Sequence, residues 1–71
     1  MMVHRMADVV KNTKIINPDL RLFIDSIADV IEVKLRGDVI GTISRREIDD
    51  NNGDIRRCVE EITDRNWGHG D

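Results

Sequence analysis

From Ile31 to Ile43 the chain carries the pattern of a β-hairpin. Ile31, Val33 and Leu35 alternate with Glu32, Lys34 and Arg36, and β-branched Val39, Ile40, Thr42 and Ile43 come after the Gly37-Asp38 dipeptide. A period of two gives a strand one apolar and one wet face. Gly37-Asp38, with glycine first, is the composition of a type II′ turn. This places the turn at Gly37-Asp38 and Val33 across from a residue between Val39 and Ile43.

The hairpin constrains the residues after it. Ser44-Arg45-Arg46-Glu47 has the form of a capping box, in which the serine oxygen accepts from the third helical amide and the glutamate reaches back. Ile43 and Ile48 occupy the positions of a hydrophobic staple around it. A short helix therefore starts at once after the second strand and ends in Asp49-Asp50-Asn51-Asn52-Gly53, which has loop composition. Asp54 caps a last helix whose buried stripe is Ile55, Cys58, Val59 and Ile62, with Arg56–Glu60, Arg57–Glu61 and Glu61–Arg65 as i,i+4 pairs on the wet side.

Upstream, Asn17-Pro18 reads as a helix start, since asparagine caps and proline suits the first helical position. Leu20, Phe23, Ile24, Ile27 and Ile31 recur at three and four residues, which predicts a helix from Pro18 to about Asp29 with Phe23 in the core. Thr13 to Ile16 reads as a brief strand and Val3 to Lys11 as a first helix. The expected fold is α+β: a small, mostly antiparallel sheet with a central hairpin and two or three helices on one face. Residues 1–67 form a single domain and residues 68–71 a flexible tail.

At 71 residues the core is thin. The single cysteine excludes an intramolecular disulfide, which points to a reducing, cytoplasmic setting. Met1 to Val10 is interrupted by His4, Arg5 and Asp8 and does not read as an export signal, and there is no apolar run of membrane-spanning length. Without staples, a homodimer or a partner-stabilised monomer is expected. Leu22, outside the central apolar stripe, is a candidate contact, and Trp67, at the end of the acidic last helix, is either a second contact or a side chain that folds back to close the core. Acidic residues exceed basic ones by 14 to 11, and the excess falls entirely after Ile43. With only Phe23 and Trp67 aromatic, this argues against nucleic acid as a partner.

Nothing in the sequence assembles catalytic chemistry. Cys58 lies on an apolar stripe and reads as a buried structural thiol. His4 and His69 stand at opposite ends, with no metal-ligand spacing. The run Asp49 to Asp54 lacks the length and terminal glutamate of a calcium loop. Arg45-Arg46 and Arg56-Arg57 are the only basic pairs. Meeting in space they could bind phosphate, which leaves a nucleic-acid-binding regulator as a weaker alternative, but acids surround them and a salt-bridged surface is the default. The expectation is no enzyme, no metal and no cofactor, and a small non-catalytic module acting on a protein partner as a regulator or adaptor, with Arg45 and Arg46 as polar contact residues. Its size and charge are those of phage-like accessory proteins.

Gly37-Asp38-Val39-Ile40-Gly41-Thr42-Ile43-Ser44-Arg45-Arg46-Glu47-Ile48 resembles the closing segment of a CBS domain, and Asn17-Pro18-Asp19 is similar to the start of that family's preceding helix. The resemblance implies an adenine-nucleotide site, with Ser44 and Glu47 at the positions that hold the ribose. A single copy of a motif that works in tandem implies a half-module that dimerises.

Overall fold

The computed structural model describes residues 4–67. Its elements are α1 (Met6–Asn12), β1 (Leu20–Asp25), β2 (Val30–Leu35), β3 (Asp38–Ser44), α2 (Arg45–Asp50) and α3 (Arg56–Trp67). The strands form an antiparallel meander in the order β1-β2-β3. Its inner face, from Leu20, Ile31, Val33 and Ile43, is covered by Met6 and Val9 of α1, Ile48 of α2, and Ile55, Val59 and Ile62 at and along α3. These residues make one contiguous core, so the chain is an α+β fold with its helices on one side of the sheet.

The helix expected from Pro18 to Asp29 is a strand followed by a turn. Asn17 Oδ1 accepts from the Asp19 N–H at 2.9 Å, and Asn17 O accepts from the Leu20 N–H at 3.2 Å, so Asn-Pro-Asp closes a β-turn. Asparagine before proline initiates turns as readily as it caps helices. Leu20, Leu22 and Ile24 then lie across from Leu35, Val33 and Ile31. The apparent 3.6 period does not define a face: Ile31 is fully buried, Phe23 is 45% exposed and Ile27 is 98% exposed. Asp25 Oδ1 accepts from the Ile27 and Ala28 amides and shapes the β1–β2 turn. Thr13 to Ile16 forms no strand; it belongs to the connector between α1 and β1. The first helix begins at Met6.

The hairpin stands, with its turn one residue earlier than expected. Leu35 pairs with Asp38, and Arg36 (φ 54°) and Gly37 (φ 89°) form the loop. Two successive positive φ values are the signature of type I′. From that turn an unbroken ladder would set Ile43 opposite Val30, on the wet face. A register shift at Val33/Lys34 leaves Ile40 unpaired, and beyond it Val33 meets Gly41 and Ile31 meets Ile43. This β-bulge returns Ile43 to the core face. Gly41 on that face admits α3 closely: a Cβ there would lie 2.7 Å from Ile62 Cγ2.

Ser44 caps α2, its Oγ accepting from the Glu47 N–H at 3.2 Å, and Ile43 and Ile48 are both fully buried as the staple requires. The helix ends in a Schellman motif: Asn52 (φ 58°) donates to Asp49 O, and Gly53 (φ 82°) donates to Ile48 O at 2.8 Å. Asp54 accepts from the Arg56 amide at 3.3 Å at the start of α3. The i,i+4 pairs expected on α3 do not form as ion pairs among the described residues; Arg65 donates instead to Glu61 O. The tail at 68–71 lies outside the described residues.

Candidate functional site

The helices cover one side of the sheet and leave the other open. Cross-strand partners share a face, so the open side presents Arg21, Phe23 and Asp25 from β1, Glu32 and Lys34 from β2, and Val39 and Thr42 from β3. Phe23 is 45% exposed and Val39 50% exposed. Lys34 Nζ lies 4.5 Å from the Phe23 ring centroid, a cation–π contact across the ladder. The face thus combines an aromatic ring, a β-branched residue and charges of both signs.

The outer edge of β1 adjoins it. The Arg36 N–H donates to Asp19 O at 3.0 Å, so residues 19, 21, 23 and 25 direct their backbone groups to β2. By alternation Leu20, Leu22 and Ile24 direct theirs outward. The Leu20 N–H is taken by Asn17 O; the Leu22 and Ile24 groups have no partner among the described residues and face the outer edge. Of the five large apolar side chains most open to solvent among the described residues, Ile16, Phe23, Ile24 and Ile27 lie on β1 or the segments beside it. The opposite edge is blunted, because β3 carries the bulge, Asn66 Nδ2 donates to Ile40 O, and the chain turns into α2 directly after Ser44.

The residues singled out from sequence fall elsewhere. Leu22 is half-buried against the core, because a strand turns it inward with Leu20. Arg45 is held in a structural role: its Nε and Nη2 donate to both Asp29 carboxylate oxygens at 3.3 and 3.2 Å, and Nη1 donates to His4 O. That hydrogen-bonded carboxylate raises the Arg45 pKa above its ordinary value. Arg46 is exposed. Trp67 closes α3, and its side chain lies outside the described part of the structure. Ser44 and Glu47 are brought together as a helix cap, while Asn17-Pro18-Asp19, the other part of the CBS-like similarity, forms a turn into a strand.

Cys58 is partly exposed, contrary to the buried site expected. It lines a groove between β3, α2 and α3 with Glu47 and Glu61, and accepts a hydrogen bond from Asn51 Nδ2 at 3.7 Å. Desolvation, with Glu47 and Glu61 nearby, pushes its thiol pKa up. Depressing the thiolate in this way opposes nucleophilic use. Among the described residues no three acidic, histidine or cysteine side chains group as metal ligands, and no helix is long and apolar enough to cross a membrane.

No family model matches the chain, and no curated protein or solved structure matches it significantly.

Proposed function

We propose that this chain is a small non-catalytic protein-interaction module, a regulator or adaptor that acts by occupying the surface of a partner protein. The observation that supports this reading is the uncovered sheet face, with Phe23 and Val39 half open to solvent amid Arg21, Glu32 and Lys34. Aromatic and β-branched side chains framed by charge are the materials of a docking surface. A partly polar face of this kind suits a contact that forms and dissolves.

Affinity capture with the full chain, read by mass spectrometry, tests this against the variant Val39→Glu. Val39 is exposed near the turn and contributes nothing to the core, so the variant should fold normally. A partner recovered by the native chain and lost with Val39→Glu and with Lys34→Glu is the expected result. The same set of proteins from all three would overturn the reading.

A further inference from the structure

We propose that two copies of this chain pair antiparallel along β1, in the register that sets Phe23 opposite Phe23 of the second copy. This goes beyond the docking face: the pairing draws Phe23 and Arg21 into the seam and leaves Glu32, Lys34, Val39 and Thr42 of each copy open.

The free backbone groups restrict the registers. In a two-fold antiparallel pair, the numbers of opposed residues have a constant sum. An odd sum would set the outward groups of Leu22 and Ile24 against residues whose own groups already serve β2, so the sum is even. A sum of 42 sets Arg21 against Arg21. A sum of 44 sets Asp19 against Asp25, and matches Ile24 with Leu20, whose N–H is already given to Asn17. A sum of 48 leaves Leu22 facing Ser26 in the turn.

A sum of 46 satisfies the outward groups of both Leu22 and Ile24, and only the Leu20 carbonyl is left facing the turn. Leu22 and Ile24 of one copy exchange both backbone hydrogen bonds with Ile24 and Leu22 of the other. Phe23 meets Phe23 at a non-hydrogen-bonded position, where side chains come closest. Arg21 of each copy faces Asp25 of the other, so two ion pairs flank the aromatic contact on the open face. Asp25 uses Oδ1 for its turn, and Oδ2 is available to the arginine. The same pairing carries Ile27 of one copy, 98% exposed, toward the connector that bears Ile16, 97% exposed, in the other.

Edge strands are normally protected by lysine, proline, bulges or covering loops. β1 carries no lysine, proline or bulge between Leu20 and Asp25, whereas β3 is bulged. The pairing joins the two three-stranded sheets into one of six strands, with all helices on one side and a continuous open face on the other.

The test is sedimentation of the full chain across a wide micromolar range, together with disulfide trapping in a Cys58→Ser background. Opposed Cα atoms at a non-hydrogen-bonded pair lie about 4.5 Å apart, within the span a disulfide bridges. Phe23→Cys should therefore cross-link with itself at least ten-fold faster than Leu22→Cys or Arg21→Cys. Ile24→Pro removes an outward N–H that has no acceptor among the described residues, and should abolish the dimer with an unchanged circular dichroism spectrum. A chain that stays monomeric throughout, or preferential trapping of Leu22→Cys, overturns the proposal. If Ile24→Pro fails to fold, the trapping result still decides. A monomer whose partner is lost on Val39→Glu refutes self-pairing and leaves the docking face standing. A Phe23-centred dimer whose captured proteins ignore Val39→Glu does the reverse.

Discussion

Ile43→Ala and Phe23→Ala separate the observed fold from the helical alternative most sharply. Ile43 is fully buried, pairs across the sheet with Ile31 and staples the start of α2 against Ile48. Replacing it with alanine removes three carbons, worth about 0.8 kcal/mol each in transfer. The cavity left behind brings the expected loss to about 3–4 kcal/mol. Phe23 is 45% exposed, so only part of the roughly 1.5–3 kcal/mol of a fully buried ring is realised. Its contact with Lys34 adds about 0.5 kcal/mol at such an open site, and Phe23→Ala should lose about 1–2 kcal/mol in all. A domain of 71 residues holds about 4–10 kcal/mol in total. Ile43→Ala should therefore bring the chain close to unfolding, while Phe23→Ala should leave it folded. Urea denaturation, monitored by circular dichroism in dilute protein so that association does not contribute, measures both. Equal losses would place Phe23 in the core and restore a helix from Pro18 to Asp29, refuting the strand.

Gly41→Ala should destabilise by about 1–3 kcal/mol through overpacking, because the new methyl meets the buried side chain of Ile62 at 2.7 Å; Gly41→Ala with Ile62→Val, measured by the same denaturation, should recover part of the loss. Ser44→Ala should cost about 0.5–2 kcal/mol through loss of the acceptor for the Glu47 amide, and thermal melting that shows no loss would mean that the cap does not hold α2. Cys58 should react with a disulfide reagent more slowly in the folded chain than in urea, since burial and the nearby Glu47 and Glu61 favour the neutral thiol. Because the folded pKa is raised, the unfolded thiol ionises first, so its contribution to stability is intact below the unfolded pKa and is lost as pH rises through the folded one. Equal folded and unfolded reactivity at pH 8 would contradict this.

The hairpin, the cap on α2 and the stripe of α3 were legible because each is written in neighbouring residues: alternation, Ser-x-x-Glu with its staple, and a 3.6 period after Asp54. β1 was not, because Leu20 to Ile27 satisfies two periods at once. Leu20, Leu22 and Ile24 alternate, while Leu20, Phe23, Ile24 and Ile27 step by three and four. What decides between them is nonlocal. β2 buries Ile31 and Val33 completely and has two edges to satisfy; β3 serves one, and a helix could not serve the other. The turn type was hidden for a related reason. Gly37-Asp38 and Arg36-Gly37 are both acceptable two-residue loops, and the second forces Arg36 to a positive φ. A II′ loop at Gly37-Asp38 would set Arg36 opposite Val39, and an unbroken ladder from it would put Ile43 opposite Glu32. The I′ loop with one extra residue at Ile40 sets Ile43 opposite Ile31 instead. Hydrophobic register, settled across the sheet, outweighs the local preference at the turn. The candidate surface was missed along with β1: once Leu20 to Asp25 is a strand, its parity sends Leu22 inward and leaves Phe23 on the open face, the reverse of what a helical stripe requires.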